Sequence, residues 1–80
     1  MIFAELDNEI KKVLIEGLNE PLVKNINIRD NEAIIDIDRD YYFHFDILTF
    51  ERKKSEISKK ILGFINNLTD IKYLVTIISI

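Results

Sequence analysis

The stretch that decides the fold runs from residue 25 to residue 37 and reads NINIRDNEAIIDI. Isoleucine or alanine alternates with polar residues on either side of Asp30–Asn31, two residues that adopt positive φ easily. The pattern therefore predicts a β-hairpin with a two-residue turn and both apolar rows on one face. The opposed apolar pairs expected across it are Ile28 with Ala33 and Ile26 with Ile35.

A third strand is predicted directly after this hairpin, over residues 42–48. Its apolar row is Phe43, Phe45 and Ile47. A two-residue connection would bring acidic side chains to the core face, whereas a three-residue loop at 39–41 keeps every phenylalanine inside. This loop sets Asp36 opposite His44 on the other face.

Two helices are predicted around the strands. Apolar residues at spacings of three and four define the first from Phe3 to Leu18, and Pro21 prevents it from continuing. The second follows the meander, with Ser55 or an earlier residue as its cap. Its apolar stripe is Ile57, Ile61, Phe64, Ile65 and Leu68. Gly17 and Gly63 lie inside these helical patterns, and each marks either a close approach between elements or simple tolerance of glycine.

The final segment, residues 71–80, is apolar on both faces and predicts a fourth strand. The sequence thus predicts a single α+β domain over residues 1–80, a two-layer sandwich with element order α-β-β-β-α-β. Its four-stranded, mostly antiparallel sheet would carry both helices on one face. The last strand could join beside the third strand or beside the first, or could be swapped into a dimer.

Length and composition limit the possible classes of protein. The chain has 80 residues, of which 48% are hydrophobic, with a mean hydropathy of +0.03 and no cysteine. It therefore lacks disulfides, thiolate metal sites and a catalytic thiol, and oligomerisation is the expected supplement to so small a core. A membrane-spanning helix needs about 20 apolar residues, and no apolar segment of the sequence approaches this length. We therefore expect a cytoplasmic protein.

An acidic surface surrounds the only histidine on the predicted sheet face away from the helices. Its members are Asp36, Asp38, Asp40, His44 and Asp46. Imidazole and carboxylates can bind a divalent cation or act as a base with an orienting acid, but a flat strand face does not supply the necessary pocket. Glycine-rich phosphate loops, GxSxG and HExxH are also absent from the sequence. We expect no enzyme, no metal and no cofactor.

A basic cluster occupies the predicted start of the second helix: Arg52, Lys53, Lys54, Lys59 and Lys60. Cations there oppose the helix dipole, which a bound phosphate or acidic partner would relieve. The order helix, three strands, helix is similar to that of double-stranded-RNA-binding domains, and this implies RNA binding as the alternative function. The net charge of −3 argues against a general nucleic-acid binder.

The leading functional prediction comes from apolar residues expected on the open sheet face and the last strand: Ile34, Tyr42, Leu48, Leu74, Ile78 and Ile80. Exposed apolar patches and apolar edge strands are typical of interfaces. We therefore expect a non-enzymatic protein-interaction module that forms a homodimer or binds a protein partner. The aspartates of the acidic surface could imitate phosphates, as in an inhibitor or adaptor from a phage or mobile element. The abundance of isoleucine, lysine and asparagine also suggests such an origin.

Overall fold

Within the residues that the structure describes, the protein has an α+β fold of two helices and a three-stranded mixed sheet. The computed structural model describes residues 3–38, 40 and 46–79, with side chains from residue 5 onward. Its elements are α1 (Phe3–Gly17), β1 (Val23–Arg29), β2 (Glu32–Ile37), α2 (Ile47–Leu68) and β3 (Leu74–Ser79). Among the described residues, no helix is both long enough and apolar enough to span a membrane.

The predicted hairpin is confirmed as β1 and β2. Asp30 and Asn31 form the turn with φ values of 53° and 59°, which is the backbone conformation of a tight two-residue hairpin turn. The paired residues include Ile28 with Ala33 and Ile26 with Ile35, as the alternation requires. A β-bulge between Val23 and Asn25 shifts the register at the start of β1.

The last strand lies beside the second strand of the hairpin, a position that was not among the predicted ones. The strand order is β1-β2-β3, and β3 runs parallel to β2 with six consecutive paired residues. The sheet is therefore mixed rather than mostly antiparallel, and the expectation that the last strand lies beside the third or the first strand is wrong. Parallel neighbours need a crossover connection, and α2 supplies it.

The predicted third strand is wrong where the structure describes it. Asp46 is the N-cap of α2, and Ile47 and Leu48 form the first turn of that helix. Residues 41–45 of the predicted strand lie outside the described residues. The edge of β2 on which this strand would have paired carries β3 instead. Across the described ranges the element order is therefore α-β-β-α-β, with three strands rather than four.

One hydrophobic core lies between the helices and the sheet. Its fully buried members include Ile10 and Leu14 from α1, Ile35 and Ile37 from β2, and Ile57, Ile61 and Ile65 from α2. Both helices therefore cover the same face of the sheet, as predicted. At about 1.5 Å per residue the 22-residue α2 is roughly 33 Å long, which exceeds the roughly 20 Å of a six-residue strand.

The two glycines have different environments. A Cβ atom added at Gly17 would lie 3.0 Å from Cε1 and Cζ of Phe64, so this glycine permits close packing of α1 on α2. A Cβ added at Gly63 would meet no described atom within 4 Å. The close approach of α1 to α2 therefore explains the glycine at position 17, whereas at position 63 the helix simply tolerates a glycine.

Candidate functional site

The sheet face turned away from the helices, called the open face below, is a grid of nine side chains. Its three rows are Arg29–Glu32–Leu74, Asn27–Ile34–Thr76 and Asn25–Asp36–Ile78. The β1 column is entirely polar, whereas the β3 column contains two large apolar side chains. Leu74 is 72% exposed and Ile78 is 41% exposed. The apolar part of the open face therefore lies along β3.

A hydrogen bond fixes the polar member of the β3 column. The hydroxyl of Thr76 donates to Oε2 of Glu32 at 2.6 Å, linking β3 to β2. The hydroxyl is thereby used within the fold, and the aliphatic groups of Leu74 and Ile78 remain as the features that β3 offers to a partner.

The apolar residues predicted for this surface are not all brought together. Ile34, Leu74 and Ile78 share the open face, where Ile34 is half-buried between its neighbours on β1 and β3. Leu48 is 80% exposed but belongs to the first turn of α2, so its predicted position on a strand is wrong. Tyr42 and Ile80 lie outside the described residues.

The two edges of the sheet differ in how open they are to another strand. β1 carries the bulge and two exposed cations, Lys24 and Arg29, which are features that discourage pairing. β3 has the sequence LVTIIS, without charge or proline, and its register with β2 is continuous. On the core face, Val75 and Ile77 are only partly buried. The β3 edge is therefore suited to strand addition.

The described members of the acidic surface lie on β2, in the segment that follows it and at the start of α2. Asp36 lies on the open face opposite Ile78 of β3, so its predicted pairing with His44 is replaced, and His44 itself falls outside the described residues. Asp38 accepts the backbone N–H of the exposed Asp40 at 2.9 Å. In the described part of the chain, no three metal-ligating side chains gather into a cation site.

Asp46 has a structural role instead. Its carboxylate accepts the backbone N–H of Thr49 at 2.8 Å and so caps α2. This hydrogen bond from the Thr49 backbone is the main reason that the pKa of Asp46 lies below its ordinary value of 3.8. The predicted acidic surface thus includes a helix cap.

The basic cluster does not lie at a helix start, which corrects the prediction. α2 begins at Ile47, so all five cations lie beyond its first four residues, the ones that carry free backbone N–H groups. Lys53 pairs with Glu20 at 3.7 Å, and Lys54 pairs with Glu51 at 2.9 Å. The remaining three are exposed along the helix: Arg52, Lys59 and Lys60. These cations therefore do not oppose the helix dipole at the N-terminus of α2.

An open groove of about 490 Å³ that the sequence patterns did not predict lies between α1 and β1. Ile15, which is 62% exposed, contributes to its apolar wall, and Lys11 and Lys24 are among the residues that line it. Ile15 departs from the apolar stripe of α1, and that departure is the one signal in the sequence that points to this surface.

Comparison with protein-family models, with curated proteins and with solved structures produced no match. The function is therefore inferred from the surface of the fold.

Proposed function

We propose that this domain is a non-enzymatic protein-interaction module that binds a protein partner, including a second copy of itself, through the open face and β3. The observation that carries the proposal is the overlap of two features on β3. Its exposed apolar side chains, Leu74 and Ile78, lie on the same strand that forms the uncharged edge of the sheet.

A partner strand added beside β3 would satisfy two needs of this surface together. It would supply hydrogen-bonding groups for the outer backbone of β3, which are costly to leave unpaired when they lose contact with water. It would also cover Leu74 and Ile78, whose burial is favourable by about 25 cal/mol per Å² of apolar surface removed from water. Backbone hydrogen bonds and the burial of apolar side chains would then both contribute to binding the same partner strand.

The test compares two double variants that add the same charge to the same face. Leu74→Lys with Ile78→Lys changes the β3 column, and Asn25→Lys with Asn27→Lys changes the β1 column. The immobilised wild-type chain and each variant are exposed to extract from the native host and to purified soluble chain. We expect wild type and the β1 variant to retain the same protein, and the β3 variant to lose it. Equal retention by all three, or retention by none, would contradict the proposal.

RNA binding through the basic cluster is the alternative, and it has weaker support. Lys53 and Lys54 already have carboxylate partners, and the cluster begins beyond the free backbone N–H groups of α2. If RNA is retained at low salt and released by Lys59→Glu with Lys60→Glu, but not by the β3 variant, then RNA binding replaces the proposal.

A further inference from the structure

We propose that the partner of β3 is a second copy of the same strand, paired antiparallel about a two-fold axis at Thr76 to make one continuous six-stranded sheet. This inference rests on the proposed function and specifies the occupant of the edge. The strand order across the assembly would be β1-β2-β3 followed by β3-β2-β1 of the second copy.

The backbone of β3 indicates which residues would make the new hydrogen bonds. The N–H of Leu74 donates to the carbonyl of Asn31 at 2.9 Å, so Leu74 turns its backbone groups toward the hairpin. Backbone groups alternate in direction along a strand, and those of Val75, Ile77 and Ser79 therefore turn outward. In the described part of the chain, β3 pairs only with β2, so these outward groups face away from the sheet.

Symmetry then limits the possible registers. Directly opposed residues in an antiparallel pair lie on the same face of the sheet. Leu74, Thr76 and Ile78 lie on the open face, so each must oppose an open-face residue of the second copy. Only registers centred on a residue meet this condition, and they keep all four helices of the dimer on one side.

Among these registers, the one centred on Thr76 matches the side chains best. It sets Leu74 against Ile78 of the second copy twice, and Thr76 against its own equivalent. On the core face it sets Val75 against Ile77, which are the two β3 side chains that the helices leave partly uncovered. Aliphatic cross-strand pairs of this kind stabilise sheets, and each Thr76 hydroxyl keeps its hydrogen bond to Glu32 of its own chain. Because β3 carries no charge, no like charges oppose each other within the two paired β3 strands.

The other edge of the sheet does not offer the same match. The bulge at the start of β1 breaks the regular backbone pattern, and Lys24 and Arg29 project from the strand. Self-pairing at β3 leaves β1 as the outer edge of both copies. The dimer would therefore be closed and would not continue into a longer sheet.

The absence of cysteine allows a direct test of the register by single-cysteine variants. In a dimer of Thr76→Cys, the two cysteines would oppose each other as a non-hydrogen-bonded pair. Their Cα atoms would lie about 4.5 Å apart, a separation that a disulfide spans. In a dimer of Leu74→Cys, the two cysteines would be offset by four residues along the paired strands. They would lie roughly 13 Å apart and could not form a disulfide. Asn27→Cys, on β1 of the same face, is the matched control for random collision.

We expect Thr76→Cys to form a disulfide-linked dimer rapidly under mild oxidation at micromolar concentration, and Leu74→Cys and Asn27→Cys to remain largely unlinked. A mixture of Leu74→Cys with Ile78→Cys should form mixed dimers. The inference fails if Thr76→Cys links no faster than Asn27→Cys, or if Leu74→Cys alone links faster than Thr76→Cys. Far-UV circular dichroism of the reduced variants establishes that each is folded.

A second measurement needs no cysteine. Wild type should sediment at twice the 9.4 kDa of one chain, and the Leu74→Lys, Ile78→Lys variant should sediment at 9.4 kDa. A wild-type chain that remains at 9.4 kDa at high concentration overturns self-pairing. If the host extract still yields a protein that wild type retains and this variant loses, the interaction module stands with a different partner. If neither result is obtained, both proposals fail.

Discussion

Tyr73 joins the two ends of the described chain through a single hydrogen bond. Its hydroxyl donates to Oδ1 of Asp7 at 2.8 Å, although the two residues are 66 positions apart in sequence. The side chain is buried, and burial, together with the hydrogen bond and the negative charge of Asp7, raises the pKa of Tyr73 to about 12. The bond fixes the entry to β3 against α1, so it also positions the strand that carries the proposed interface.

Tyr73→Phe should destabilise the fold by about 1–2 kcal/mol, because the ring remains buried while a hydrogen bond to a charged group is lost. The pH dependence should change as well. The folded pKa is raised, so the stabilisation is complete below the ordinary value of 10.0 and is lost as the pH rises toward about 12.

Urea unfolding of wild type and Tyr73→Phe at neutral pH and at about pH 11 measures this difference. The stability advantage of wild type should be smaller at the higher pH. An advantage that grows with pH would show that the hydroxyl is not held neutral by its surroundings.

The two glycines provide a matched pair of alanine substitutions. Gly63→Ala should stabilise the protein by about 1 kcal/mol, because alanine is the better helix former and the space beside residue 63 is open. Gly17→Ala should gain less or should destabilise, because the ring of Phe64 must move away from a contact of 3.0 Å. Thermal unfolding of both variants measures which is the more stable. An equal increase in stability for both would contradict the close contact between the helices.

At the scale of elements, the first turn of α2 depends on its cap. Asp46→Ala removes the acceptor for the N–H of Thr49 and should lower the thermal midpoint, whereas Asp46→Asn keeps an acceptor and should lower it less. The pKa of Asp46 is lowered in the fold, so its ionised form contributes stability above pH 3.8, and this contribution is lost as the pH falls below that value.

The difference in midpoint between wild type and Asp46→Asn should therefore shrink on acidification below pH 3.8. Thermal scans by circular dichroism over this range measure it. A difference that stays constant would mean that the charge of Asp46 has no part in capping α2.

The start of α2 lies where the apolar pattern also predicts a strand. Apolar residues at every second position, Phe43, Phe45 and Ile47, have the period of a strand. Over so few residues this pattern competes with the helical spacing that leads from Phe50 to Ile57. The hydrogen bond from Thr49 to Asp46 and the burial of Phe50 favour the helix. Asp46 stands directly before the apolar residues Ile47 and Leu48, and an aspartate in that position is a signal for the start of a helix.

At the scale of the whole molecule, the position of β3 determines which surface is available. Because β3 lies beside β2, the hairpin is closed on one side and β3 itself becomes an edge. Dimerisation through this edge would double the sheet without disturbing the core, and it would make the thermal midpoint rise with protein concentration. A small domain with no cysteine would thereby gain stabilisation from association.

The sequence by itself determined the features that depend on local pattern. Residues 25–37 determined the hairpin and its register, since alternation and the Asp30–Asn31 turn leave only one way to keep Ile26, Ala33 and Ile35 inside together. The spacing of apolar residues likewise determined α1, most of α2 and the two faces of the last strand. The apolar residues Leu74 and Ile78 were placed correctly on the open face for the same reason.

Only the tertiary structure decided what depends on neighbours distant in sequence. The choice of β2 as the partner of β3 depends on competition for one strand edge, and period-two alternation contains no information about which edge is taken. The positions of Leu48, Asp46 and the basic cluster follow from where α2 begins. Asp36 lies opposite Ile78 because β3 takes the edge of β2. Long-range packing thus determined the strand order, and the strand order decided which residues form the surface available to a partner.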